Sequence, residues 1–210
     1  VSAAALGNDE VDVSAAALGN DVVDLRDADA RRLHPRFDAR AFAPGERVWI
    51  GEGPGAGRRR WSLWAAKEAA HKALRQEAPG LGFAPGHYRV RLGPDGRGTV
   101  RRGDRRIAVR VEADGERVHA VAFRGAEAGL CVEVARAAAL DPDDPSRAVR
   151  RLLARSLDGV AFELTREDRI PRLRLAGRDV AVSFSHHGRF VAFARRDGGA
   201  TPDAAGGGGR

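Results

Sequence analysis

Apolar and polar positions alternate along the chain in short blocks, a pattern that predicts many strands and a few helices. Residues 15–25 read as a strand running into a Gly19-Asn20-Asp21 turn. Residues 29–33 predict a short helix that His34-Pro35 stops. Within 40–50 a Pro-Gly-Glu start opens another short helix, and 51–57 form a glycine-rich loop. The clearest helix spans 60–77, and Pro79-Gly80 ends it. Strands are predicted at 88–92 and 99–101, joined by Pro94-Asp95-Gly96, and a hairpin pairs 107–111 with 118–123 across 113–116. Further on come a strand at 130–134, a helix at 145–158 after Asp144-Pro145, a strand at 170–175, and a second hairpin of 180–184 with 190–195.

The two hairpins occupy similar places in the two parts of the chain. The expected fold is therefore α+β. Two similar halves, 13–125 and 126–198, each with a three-stranded antiparallel sheet and a helix, pack as an intramolecular pseudodimer. Residues 1–12 repeat as 13–24 with one difference, Glu10 against Val22. The second copy continues into the domain, so the first is expected to lie outside it. The segment 199–210 is rich in glycine and alanine and reads as a flexible tail.

Composition sharpens this picture in three places. No apolar run approaches the ~20 residues of a membrane span. The start carries no basic segment followed by an apolar one, and the single Cys131 has no internal disulfide partner, so a reducing cytoplasm is expected. The formal net charge is +7, which favours anionic partners. Of the 36 basic residues only Lys67 and Lys72 are lysines, leaving 34 arginines. Both lysines sit in the 60–77 helix beside Glu68. An ammonium is a compact charge that fits among phosphate oxygens, whereas a guanidinium is planar and bulky.

Three constellations carry candidate chemistry. In the first, Gly19-Asn20-Asp21 with Asp24, a carboxylate beside a glycine turn suits a hard cation, though turns favour the same residues. In the second, the helix 61–74, Trp61, Trp64, Ala65, Glu68 and Lys72 share one face at 100° per residue. Glu68 and Lys72 stand four apart, the spacing of an ordinary surface pair, but two tryptophans beside them argue for a partly desolvated site. In the third, Ser183 and Ser185 lie on one face of a strand, and His186 follows where its ring and the nearby amides could meet a phosphate. His187 reads as solvent-facing. Walker-loop, nucleophile-elbow and zinc spacings are not found. The runs at 58–60 and 101–106 lack the interleaved aromatics of base-stacking surfaces and suit an acidic partner instead.

Together, GND at 19–21, WAAKEAAHK at 64–72 and SFSH at 183–186 resemble the 4′-phosphopantetheinyl transferase superfamily. The segment 34–46 is similar to that family's link between the first two motifs. The Ser-x-Ser-His element comes last, as in the small holo-acyl-carrier-protein synthases. The length matches the larger surfactin-synthetase-activating type, which carries a further acid where this chain has Val23.

The resemblance implies transfer of phosphopantetheine from coenzyme A to a serine of an acidic acyl or peptidyl carrier protein, with Mg²⁺. It implies Asp21 and Glu68 as metal ligands, with Asp24 weaker or water-mediated. Lys72 would contact the phosphates, and Ser185 and His186 would bind coenzyme A. Arg36 and Arg40 are candidates for the nucleotide or the carrier. Lys67 points about 100° from Glu68 and could approach the reacting oxygen or serve packing. A monomer without nucleic-acid or membrane partners is expected. The rival readings are a non-catalytic basic module that docks acidic protein or nucleic acid, and a degenerate homologue that binds coenzyme A without turnover.

Overall fold

The structure is a computed structural model that describes residues 17–30 and 34–196. The duplicated segment 1–12, the 199–210 tail and part of the predicted 29–33 helix lie outside the described residues. Strand β1 (Leu18–Asp24) leads straight into helix α1 (Leu25–Ala30). Short helices α2 (Phe37–Ala41) and α3 (Pro44–Ile50) precede the long α4 (Ala56–Glu77). Four strands follow: β2 (Arg89–Leu92), β3 (Arg97–Arg102), β4 (Arg105–Ala113) and β5 (Arg117–Phe123). The C-terminal part holds β6 (Leu130–Arg136), α5 (Pro145–Ser156), β7 (Phe162–Glu167), β8 (Ile170–Leu175), β9 (Arg178–Val180), β10 (Val182–His187) and β11 (Phe190–Arg196).

Every described strand pair is antiparallel, so the mixed helix-and-strand class expected from the pattern holds. The expected sheet size holds for the second sheet and not for the first. The first sheet has five strands in the order β1-β5-β4-β3-β2, not three. A second has the order β10-β11-β6, and a third, β7-β8-β9, had no counterpart in the expectation. Strand β7 is exposed along most of its length and owes its form to pairing with β8, so no apolar face announced it. Glycine-asparagine-aspartate lies inside β1 and not in a turn after it, because each of these residues is in register with β5. Helix α4 starts at Ala56, within the expected glycine loop, after Gly55 at φ 84°.

Helix α4 is buried on several sides. It lies on the first sheet along β1 and β5, and α2, α3 and an aromatic group cover its other side. In that group Phe37 stacks near Trp61 and Trp64, with ring centroids 6.0 and 5.2 Å away, and Phe83 meets Trp64 and His71. Alanines at 65, 66, 69, 70 and 73 are all fully buried, which lets the helix approach the sheet closely. Gly19 marks the closest point: a Cβ there would stand 2.0 Å from the Ala69 carbonyl oxygen and 2.6 Å from the Ala73 nitrogen.

The second core lies between α5 and the β10-β11 sheet, around Val149, Leu152, Leu153, Val191 and Phe193. Asp144 caps α5 by accepting from the Arg147 amide at 2.9 Å, and Pro145 occupies its first turn. Two small apolar groups join the parts: Leu18, Val121 and Phe123 meet Ala194, and Val22 meets Phe190 and Ala192. Strand β1 is thus covered on both faces.

As an edge strand β1 leaves main-chain groups that no neighbouring strand takes. Side chains take them instead. The Leu18 amide donates to Gln76 Oε1 at 3.0 Å, the Asn20 amide to Ser183 Oγ at 2.9 Å, and the Asp24 amide to His187 Nδ1 at 3.1 Å. Buried main-chain groups need such partners.

The Gly19 contact gives a prediction. Gly19→Ala must push α4 off β1, and overpacking of a rigid backbone contact costs ~3 kcal/mol or more. For a chain of this size that lowers the melting temperature by about 6 °C or more, readable by calorimetry.

Candidate functional site

The site is built on β1 and α4, which the alanine face holds against each other. Asp21 shares the α4-facing side of β1 with Gly19. Lys72, one turn after Glu68, extends its ammonium to Asp21 Oδ1 at 2.8 Å and to the Asn20 main-chain oxygen at 2.9 Å. Lys72 therefore pairs with the strand acid and not with Glu68. No hydrogen bond or ion pair holds the Glu68 carboxylate among the described residues. Its pKa is raised to about 7, first by burial and then by the nearby Asp21 charge, with Lys72 opposing. Two carboxylates and one ammonium are thus crowded together, and the acid on the helix is short of positive charge.

His186 joins this group from β10. It is exposed, yet crowding by its surroundings and the Lys72 charge lower its pKa, while Asp21 acts the other way. Its neighbour Ser185 is 4 % exposed, and its Oγ accepts from the Asn20 side-chain amide at 3.0 Å. Ser183, also buried, accepts from the Asn20 main chain, so both serines are engaged with β1. Arg36 and Arg40 are exposed, at the start of and within α2. That helix rests on Trp61 and Trp64 through Phe37.

Two expected site residues lie elsewhere. Asp24 is on the opposite face of β1 from Asp21, since the two are an odd number of residues apart. Its carboxylate is held by Arg189, whose Nε reaches Oδ2 and Nη2 reaches Oδ1, both at 2.8 Å, and by the Arg189 and Arg26 amides. This bidentate fork holds its pKa well below the usual carboxylate range, the side-chain bonds to Arg189 being the main cause and burial opposing them. The acid is a tie between the two parts of the chain. Its partner Arg189 follows Gly188, where a Cβ would come within 2.6 Å of Asp24 Oδ2.

Lys67 is fully buried and turned away from Asp21. Its ammonium donates to the Ala41 oxygen at 2.6 Å, Glu46 Oε2 at 2.7 Å and the Pro85 oxygen at 3.2 Å, which uses all three protons. Burial lowers its pKa and the Glu46 carboxylate opposes this. Glu46 also accepts from the Ala43 and Val90 amides, so the pair joins α3, α4 and β2. Of the two open roles for Lys67, the structure favours packing.

Residues to which the sequence assigns no site role complete the surroundings. Asn20 and His119 are buried and in contact at 3.3 Å, and burial pushes the His119 ring down to about 3, so it is neutral. His187 is half-buried against Asp24 and Asp27 and does not face open solvent. His119 follows Val118 in an alternating apolar strand, and nothing local marks it. His187 and Arg189 lie more than 160 residues from Asp24, beyond any spacing argument.

The donor set can be tested against a metal. Among the described residues no group of three or more His, Cys, Asp or Glu is arranged to hold an ion. Asp21 and Glu68 make two carboxylates beside solvent. Magnesium commonly takes one or two protein carboxylates and completes its shell with water and substrate phosphates. The pair fits that donor set, and the raised Glu68 pKa marks a place where added positive charge is stabilising.

The sequence profile of the 4′-phosphopantetheinyl transferase superfamily matches residues 17–124, just over half the chain. The chain belongs to the 4′-phosphopantetheinyl transferase superfamily. No curated protein matches it. The matched region contains Asp21, Glu68 and Lys72, while Ser185 and His186 lie beyond it. Membership supports phosphopantetheine transfer as the general chemistry. No described helix is long and apolar enough to cross a membrane.

The Glu68 shift has a measurable sign. Because its folded pKa lies above the ordinary 4.5, folding resists its ionisation, and stability falls as pH rises from about 4.5 through about 7. Glu68→Gln removes this penalty. Without divalent ions the variant should be more stable than the parent at pH 8, by on the order of 1–3 kcal/mol, and equal to it near pH 4. Urea unfolding at the two pH values checks this.

Proposed function

We propose that the protein transfers the 4′-phosphopantetheine arm of coenzyme A to a serine of an acyl or peptidyl carrier protein, with Mg²⁺. The observation that carries this reading is the Lys72–Asp21 ion pair beside the unpaired Glu68 carboxylate, on motifs inside the matched superfamily region. In this reading the carrier serine oxygen attacks the phosphorus that bears the pantetheine arm. A new P–O bond forms, the serine gives up its proton, and 3′,5′-adenosine diphosphate leaves. Positioning and charge neutralisation are the main demands of such a transfer.

Asp21 and Glu68 would hold the divalent ion, which supplies positive charge to the pyrophosphate oxygens. Lys72 would bind the same oxygens as a compact cation. Its bonds to Asp21 and to the Asn20 carbonyl fix its position in advance, so little is lost in ordering it. His186 would meet the coenzyme A phosphates from the β10 side. Ser185 contributes by placing that strand. Arg36 and Arg40 would extend the cationic surface over α2 toward the nucleotide or an acidic carrier. The β1/β5 and β10/β11 layers packing face to face support a two-half, pseudodimeric monomer with its groove at the junction. A cytoplasmic setting suits coenzyme A chemistry.

The test mixes the protein with an apo carrier, coenzyme A and Mg²⁺, and follows the carrier mass. Gain of one phosphopantetheine, abolished by chelator, is expected. Binding of coenzyme A without transfer, or transfer indifferent to chelator, would sink the reading. Asp21→Asn and Glu68→Gln should each lower kcat/KM by about 100-fold or more, as expected for lost metal ligands. Lys72→Arg should cost about tenfold or more, because a planar fork does not replace an ammonium held at two oxygens. In thermal scans Mg²⁺ with coenzyme A should stabilise the parent chain and not the Glu68→Gln variant.

A further inference from the structure

Asn20 comes just before Asp21 on β1 and is completely buried. Its outward main-chain groups are free of strand pairing because β1 is an edge, and each goes to a different part of the site. The carbonyl accepts from Lys72 Nζ at 2.9 Å. The amide donates to Ser183 Oγ at 2.9 Å. The side chain continues the second connection: Nδ2 lies 3.0 Å from Ser185 Oγ and 3.3 Å from His119 Nε2. Turning the amide over would keep the same two neighbours. Ser183 and Ser185 are themselves only 3 % and 4 % exposed, so these bonds lie in a dry junction. Hydrogen bonds in such surroundings hold geometry more firmly than the same bonds in water.

We propose that Asn20 is a positioning residue that locks the Ser183–Ser185 strand to the Lys72 ammonium, so that His186 and Lys72 are held at a fixed separation. The inference rests on the transfer reading for its effect on coenzyme A, but the coupling itself is a property of the folded chain. A ligand bound through both His186 and Lys72 needs that separation fixed before it arrives. If β10 slides on β1, His186 moves with it while Lys72 stays with the Asn20 carbonyl. The ammonium is left more open, and the phosphate oxygens meet two groups that no longer fit together. Asn20 touches no reacting atom in this scheme.

The chain's composition supplies a probe. Lys72 and Lys67 are its only lysines. Lys67 is fully buried with all three protons engaged, while the Lys72 side chain is 31 % exposed. Acylation by a succinimidyl ester, read by peptide mass spectrometry, reports Lys72 directly, and Lys67 reports whether the fold has opened. Asn20→Ala and Ser185→Ala should each speed Lys72 labelling by about fivefold or more, and the double variant should add little to the faster single one. In the transfer assay both should raise KM for coenzyme A by about tenfold while kcat changes less than threefold.

Unchanged Lys72 labelling in both variants would overturn the proposal. So would a lower melting temperature with labelling and KM unaltered, since a residue that only fills the core gives that result. Should Asn20→Ala expose Lys67, that variant has opened and Ser185→Ala decides the matter from the other end of the same bond. A parent chain that neither binds coenzyme A nor modifies a carrier would refute the transfer reading alone. The labelling result would still decide whether the strand and the ammonium are coupled.

Discussion

Helix α4 lies so close to β1 that the strand has no room for a side chain at Gly19. That contact sets the position of everything else in the site. A row of alanines lets the helix settle on the strand, and the settling brings Lys72 within hydrogen-bond reach of both Asp21 and the Asn20 carbonyl. Glu68 is carried along one turn earlier. It stays partly desolvated between the helix and the strand, with a neighbouring carboxylate and without a bonded cation. Small residues here act as spacers whose absence of bulk determines electrostatics several ångströms away. The charges in turn explain why the helix face cannot be read as a simple apolar stripe.

The two lysines show how one residue type serves two ends in one helix. Lys67 is saturated: three oxygens, one a carboxylate, surround an ammonium that has no exposure left. Removing either partner of such a buried pair costs about 3–5 kcal/mol, because the other is stranded. Its role is to pin the α2–α3 layer onto the helix. Lys72 keeps part of its surface open and has one strong partner in Asp21. The difference between a structural ammonium and one available for a ligand is thus the number of oxygens already in place.

Much of the candidate site was legible in the sequence. Asp21, Glu68 and Lys72 carry local patterns, a glycine-flanked acid and a four-residue helical spacing, and these survive folding. The sites of failure are those fixed by distant chain. Asp24 carries the same local signal as Asp21 but faces the other way, and its fate depends on Arg189 far along the sequence. Lys67 could be turned away from Glu68 by helical geometry, yet what it would meet there depended on Glu46 and two carbonyls from other elements. The five strands of the first sheet were each expected, but that all of them join one sheet depends on β1 pairing with β5 and β3 with β4, pairings that the expected hairpins left open. Strand β7 is short and mostly exposed, its brief alternation of Phe162 and Leu164 runs out in charged residues, and it exists through its pairing with β8.

The covering of both faces of β1 has a consequence for synthesis on the ribosome. By the time residue 123 has emerged, the first sheet and its helix have all their strands, but one face of β1 still waits. Asn20 and Asp24 then stand on a wet surface, with no hydroxyl for the one and no guanidinium for the other. Only when the hairpin of β10 and β11 arrives, ending at Arg196, do these two polar residues lose their water. These polar groups interrupt a waiting face that otherwise presents Leu18, Val22, Val121 and Phe123. A hairpin without a hydroxyl for Asn20 or a guanidinium for Asp24 would bury one of them unpaired, at a cost of about 1–3 kcal/mol, so docking of the last strands favours the sequence that answers both.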